Sequence, residues 1–133
     1  MPNIEYQIAT KKNLSSLNNL YADINNKPLM SENEITYLWQ QIQQVPDYYI
    51  YLTYLDKKAI GTFSLLFMPT MMHSGFHKSA ILYSAAILSS YRSQGYGKQM
   101  MQKALRISAD AGCYKVTLSS NLKRDAFMRS GIL

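Results

Sequence analysis

Arg92-Ser93-Gln94-Gly95-Tyr96-Gly97-Lys98 constrains this chain more than any other stretch, because it joins an apolar run, Ala80 to Leu88, to a segment with helical periodicity. A strand that turns through two glycines directly into a helix can aim successive backbone N–H groups at one point, and the positive end of the helix adds to the same point. An anion with several phosphate oxygens fits such a cradle. Glycine pairs also mark ordinary strand-to-helix turns, so the spacing alone leaves both readings open.

A chain of 133 residues with 47% hydrophobic content suffices for one domain around a single core. Its one cysteine, Cys113, has no internal partner for a disulfide, and Met1-Pro2-Asn3-Ile4-Glu5 lacks the basic and then apolar regions of a secretory signal, so a cytoplasmic protein is expected. The apolar runs fall short of the about 20 residues that cross a bilayer, and no membrane span is expected. Charge is unevenly placed: through Asp56 there are three basic and six acidic residues, and from Lys57 onward eleven basic residues against Asp110 and Asp125. The C-terminal portion therefore faces anions, whether a nucleotide-like cofactor or nucleic acid, or is simply a solvated basic surface.

Glu5 to Ile8 alternates as a strand, and Leu14, Leu17, Leu20, Tyr21 and Ile24 recur at helical spacing. Asn25-Asn26-Lys27-Pro28 ends that helix. Ser31 followed by Glu34 reads as a capping box opening a second helix, with Ile35, Leu38 and Ile42 on its buried face and Pro46 beyond its end. Tyr48–Leu55 and Ala59–Met68 predict an antiparallel hairpin across Asp56-Lys57-Lys58, with Gly61 marking a twist or bulge. Residues 69–78 read as a loop, Ser79–Leu88 as the strand entering the glycine turn, and Tyr96–Ala111 as a helix with Tyr96, Met100, Ala104, Ile107 and Ala111 on its seam. Gly112 suits a left-handed helix end, Tyr114–Ser119 a further strand, and the residues after Asn121 a short helix.

Arg92, Gly95 and Gly97, followed by Ala104, Leu105, Ala109, Ala111, Gly112, Cys113, Tyr114 and Lys115, resemble the acetyl-CoA-binding core of the GCN5-related N-acetyltransferases, whose pyrophosphate loop reads Gln/Arg-x-x-Gly-x-Gly/Ala. The resemblance covers about residues 59–124 and implies an α/β (α+β) fold, with a mixed, mostly antiparallel central sheet flanked by helices. It implies acetyl-CoA as the cofactor, with the diphosphate on the N–H groups of Gln94 to Lys98. Arg92 and Ser93 belong to that loop, Arg92 shaping it, while Lys98 adds charge. Ile87 and Leu88 would hold the pantetheine arm through main-chain groups, the Leu88 N–H polarising the thioester carbonyl, so that loss of either side chain matters little. Asn121 and Arg124 match positions near the pantetheine or the adenosine phosphate; a helix cap and a solvated side chain are their ordinary readings.

The chain departs from the family in two places. Where relatives carry an acidic base on the strand before the loop, this sequence has Tyr83 and Ser84, and Tyr83 is the candidate base. After Arg124 the usual Phe-Tyr and the last two strands do not follow, so the fold is expected to lack them, and the exposed strand edge predicts a homodimer. The resulting expectation is an N-acetyltransferase acting on a primary amine of a small molecule. A noncatalytic coenzyme A binder and a single-stranded nucleic-acid binder are the alternatives. Glu32 or Glu34 could attract a cationic acceptor or simply stabilise a helix start. His73 and His77 have metal-ligand spacing but no acidic or cysteine partner nearby, and no metal site is expected.

Overall fold

The computed structural model describes residues 2–71, 75 and 77–118. The chain opens with β1 (Ile4–Ile8) and passes through a single 3-10 turn at Lys11–Asn13 into α1 (Leu14–Asn25) and α2 (Glu32–Gln43). Then come β2 (Tyr48–Leu55), β3 (Lys58–Pro69), β4 (Lys78–Ile87), a second 3-10 turn at Ser89–Tyr91, α3 (Tyr96–Asp110) and β5 (Cys113–Leu118). The five strands form one sheet in sequence order. The first four are antiparallel, and β5 lies parallel to β4 after the α3 crossover. This is the mixed, mostly antiparallel sheet implied by the resemblance.

Local chemistry sets the helix ends. Asn26 takes a left-handed φ of 51° to close α1, a conformation asparagine tolerates better than most residues. At α2 the Ser31 hydroxyl accepts the Glu34 N–H at 3.1 Å. Only this serine half of the expected capping box forms. Gly112, with a φ of 87°, follows the last turn of α3 as its composition suggested.

Each sheet face buries its own apolar layer. Phe63, Leu65, Leu82 and Ile87 pack with Met100 and Ala104 of α3, and the Tyr51 ring stacks on Phe63 at 4.8 Å. On the opposite face Ile50 and Leu52 meet Leu17 and Leu20 of α1. Among the described residues, two buried side chains on the α3 side are polar. Ser108 satisfies its hydroxyl by donating to the Ala104 carbonyl one turn back. Thr53 is 1% exposed and its Oγ1 has no partner among the described residues. Removing an unsatisfied buried hydroxyl while keeping the branched shape recovers its desolvation penalty, so Thr53→Val is expected to stabilise the fold by about 1 kcal/mol. Urea unfolding measures this; a loss of similar size would show that Thr53 has a partner.

An extra residue on β4 shapes the functional end of the molecule. Ser64 pairs with Tyr83 and Thr62 with Ala86, so two residues, Ser84 and Ala85, stand opposite one. Ser84 accordingly takes a left-handed φ of 54°. Strict alternation would put Leu82 and Ile87 on opposite faces, and the inserted residue brings both onto the α3 face. Gly61 lies where β3 passes beneath this kinked end. A Cβ there would stand 2.6 Å from Ile87 Cδ1 and 2.9 Å from the Ala86 carbonyl oxygen.

Candidate active site

β4 pairs with β5 only from Lys78 to Leu82. Its last five residues run on with β3 alone among the described strands, leaving an open side that leads to the glycine turn. The chain leaves Ile87 through the 3-10 turn, where Tyr91 N–H donates to the Leu88 carbonyl at 2.9 Å. Asp23 of α1 clasps the junction: its carboxylate accepts the Ser89 N–H at 3.0 Å and the Ser89 hydroxyl at 3.1 Å. Arg92 Nε donates to the Ile87 carbonyl at 3.0 Å, which folds the loop back onto the strand it has just left.

The backbone then turns twice through left-handed geometry, at Ser93 (φ 64°) and Gly95 (φ 89°), before α3 begins. The first helical bond is Gln99 N–H to the Gly95 carbonyl at 3.1 Å. The helix start leaves the amides of Gly95, Tyr96, Gly97 and Lys98 without an intrahelical acceptor, and the Gln94 amide just before them likewise has no backbone partner among the described residues. Arg92 and Lys98 are exposed beside them. A Cβ on Gly97 would meet nothing nearer than Ile87 Cγ1 at 4.0 Å, so protein packing does not demand glycine there. Unpaired donors, a helix N-terminus and spare room together fit an oxyanion such as a diphosphate.

Two expectations about β4 need correction. Leu88 N–H donates to the Ile60 carbonyl at 2.7 Å and is not free for a ligand. Amide direction alternates along a strand, so with Leu88 turned to β3 the amide of Ile87 faces the open side instead. The Ile87 side chain, expected to be dispensable, is 7% exposed and packs against α3. Leu88 also packs, against the α1 layer. Asn121, Arg124 and the short helix expected after Asn121 fall outside the described residues, as does His73.

Beyond the kink, on the α1 and α2 side of the sheet, lies a cavity of about 250 Å³. Its walls include Leu17, Tyr21 and Asn25 of α1, Ile35, Trp39 and Ile42 of α2, and Tyr48, Ile50 and Ser64 of the sheet, with Ser84 at the kink. Burial raises the pKa of Tyr21, offset in part by the Thr62 side chain. Burial also raises that of Tyr48, aided by the neighbouring Tyr83 and opposed by Ser64. Both phenols stay neutral at physiological pH. The candidate base Tyr83 is not among the lining residues; its ring stands 6.1 Å from that of Tyr48, which is. Glu32 and Glu34 are exposed at the start of α2 and do not line the cavity either.

Sequence reasoning missed Tyr21, Tyr48 and Asp23. The tyrosines read as strand and helix filler, and Asp23 meets Ser89 across 66 residues of chain. Asp23→Ala removes both bonds that hold the start of the turn, and by comparison with lost helix caps it should cost about 1 kcal/mol in a thermal melt. An unchanged melt would show the clasp to be incidental.

The chain belongs to the acetyltransferase (GNAT) family, whose family model matches residues 14–132. No curated protein matches it. Among solved structures it is similar to a transcriptional regulator from Bacillus halodurans, with 17% identity, a TM-score of 0.80, and coverage of 97% of this chain and 89% of that one. A GNAT family acetyltransferase from Staphylococcus aureus is similar at 23% identity and a TM-score of 0.75, covering 92% and 90%. An aminoglycoside acetyltransferase from an uncultured soil metagenomic sample, in complex with sisomicin, is similar at 15% identity and a TM-score of 0.73, covering 96% and 84%. These likenesses establish the fold. No described helix is long and apolar enough to cross a membrane.

Proposed function

We propose that this protein transfers an acetyl group from acetyl-CoA to a primary amine of a small molecule. The observation that carries the reading is the run of five unpartnered amides from Gln94 to Lys98 at the start of α3, beside the open side of β4. Those amides would hold the diphosphate, and Lys98 would add charge. Arg92 holds the loop in shape through Ile87. The open side of β4 would take the amide-bearing arm of the coenzyme as a further strand would be taken, with the Ile87 N–H as the outward donor. When bound, acetyl-CoA supplies an acyl thioester already activated toward nitrogen nucleophiles.

Ser84 of the same strand lines the cavity, so an acceptor seated there would approach the thioester from the α1 and α2 side. Positioning supplies most of what such a reaction needs, because the nucleophile is the amine itself. No carboxylate lines the cavity among the described residues, so the chain offers no strong base there. Water beside Tyr48 and Tyr83 is the remaining route for the amine proton. The same observation favours a second reading, coenzyme binding without turnover. Homodimerisation stays a proposal resting on the sequence, and a monodisperse monomer in sedimentation would overturn it.

Calorimetric titration with acetyl-CoA, followed by thiol release across an amine panel, tests the reading. Saturable binding with thiol release on an amine supports it. Binding with no release on any amine supports the second reading, and no binding overturns both.

A further inference from the structure

We infer that the cavity beside Ser84 takes an uncharged amine with a compact aromatic or branched apolar body, and excludes polycationic acceptors. This rests on the reading of the chain as an amine acetyltransferase and narrows its substrate class. The body-forming walls, Leu17, Ile35, Trp39, Ile42 and Ile50, are apolar or aromatic, and at about 250 Å³ the space suits on the order of ten non-hydrogen atoms. The polar side chains of the lining are Tyr21 and Asn25 of α1 and Tyr48, Ser64 and Ser84 of the sheet, all uncharged.

These can accept hydrogen bonds from an amine but carry no charge to balance an ammonium. The titratable groups facing the space are Tyr21 from α1 and Tyr48 from β2, and the ring of Tyr83 on β4 lies 6.1 Å from that of Tyr48. Among the described residues α2 and β3 contribute none to the lining. Desolvating a cation against such walls is unfavourable, and each further positive charge multiplies the penalty. The amine is therefore selected in its neutral form. That selection also does the work of the missing base at the ground state, since no proton need be removed before nitrogen attacks. As the C–N bond forms and the C–S bond breaks, the proton that nitrogen then sheds ends on the departing thiolate, which leaves as the thiol.

Trp39 is the chain's one tryptophan and lines the cavity, so its emission reports occupancy without any turnover. The test titrates 2-phenylethylamine, 2-phenylethanol and sisomicin into the protein while following Trp39 fluorescence from pH 7 to 9. An alkylamine titrates roughly as lysine does, near 10.4, so its neutral fraction grows about tenfold per pH unit over this range. The apparent affinity for 2-phenylethylamine is expected to rise by the same factor per unit, that for 2-phenylethanol to stay flat, and sisomicin to leave the emission unchanged. In Ser84→Asp, which suits the left-handed φ of that position, a carboxylate in the cavity lining should strengthen 2-phenylethylamine binding at pH 7 at least tenfold and flatten its slope.

Tighter binding of sisomicin than of 2-phenylethylamine, a pH-independent affinity for the amine, or an unchanged slope in Ser84→Asp would each overturn the inference. So would a silent Trp39 in protein that still binds acetyl-CoA. Failure to bind acetyl-CoA, in contrast, overturns the proposed activity, while the Trp39 titration still decides the chemistry of the cavity.

Discussion

Gly97→Glu is expected to leave the protein as stable as the parent or more so, and to weaken acetyl-CoA binding at least tenfold. The two effects separate because Gly97 is glycine without a packing reason: the nearest atom to an added Cβ is Ile87 Cγ1 at 4.0 Å, an ordinary contact. Replacing glycine inside a helix recovers roughly 0.5–1 kcal/mol of backbone entropy. A carboxylate in the first turn also interacts favourably with the helix dipole, by about 0.3–1 kcal/mol. The same carboxylate stands among the amides proposed to hold a diphosphate. At about 5 Å and an effective dielectric between surface and water, repulsion between it and the ligand is on the order of 2 kcal/mol, more than a factor of ten in affinity. Thermal melts and acetyl-CoA calorimetry on one preparation check both halves. Undiminished affinity would remove the cradle from the account.

Gly61→Ala should do the reverse, damaging the fold before any ligand is involved. The added Cβ would lie 2.6 Å from Ile87 Cδ1, which can rotate away, and 2.9 Å from the Ala86 carbonyl oxygen, which cannot. Relief requires the kinked end of β4 to lift from β3, and that end carries both Leu88 N–H to the Ile60 carbonyl and the Arg92 anchor on the Ile87 carbonyl. Overpacking of this kind costs about 1–3 kcal/mol, and a rigid carbonyl puts Gly61 near the top of that range. A melting temperature lower by on the order of 10 °C is expected. An unchanged melt would show that β4 can move without consequence.

Gly61 and Gly97 also show what the sequence made legible. Both glycines stood out, but only the folded backbone separates the one that packing requires from the one that packing leaves open. The hairpin, the three helices and the strand before the glycine turn were readable because each carries a local period or a stop signal: tyrosines and β-branched residues in β2, Pro46 after α2, Gly112 after α3. The turn itself was readable because its residues are contiguous.

The extra residue on β4 was hidden, since Ala80 to Leu88 is apolar apart from Tyr83 and Ser84, and one serine in such a run does not mark where the alternation breaks. That one residue decides which amide faces outward, so the expected donor, Leu88, proved to be bonded to β3 and its neighbour Ile87 took the outward position. The cavity was hidden for a different reason. Its walls come from both N-terminal helices and from β2, β3 and β4, and no short window of sequence contains them. Asp23 was hidden likewise, an aspartate at the end of an ordinary helix until the fold sets it against Ser89.

The most direct test of the cradle is an acetyl-CoA titration followed by the amide resonances of isotope-labelled protein. The account predicts that the largest shifts fall on Gln94, Gly95, Tyr96, Gly97 and Lys98, with a smaller shift at Ile87 and little change at Leu88. Saturating shifts that leave those five amides still would contradict it.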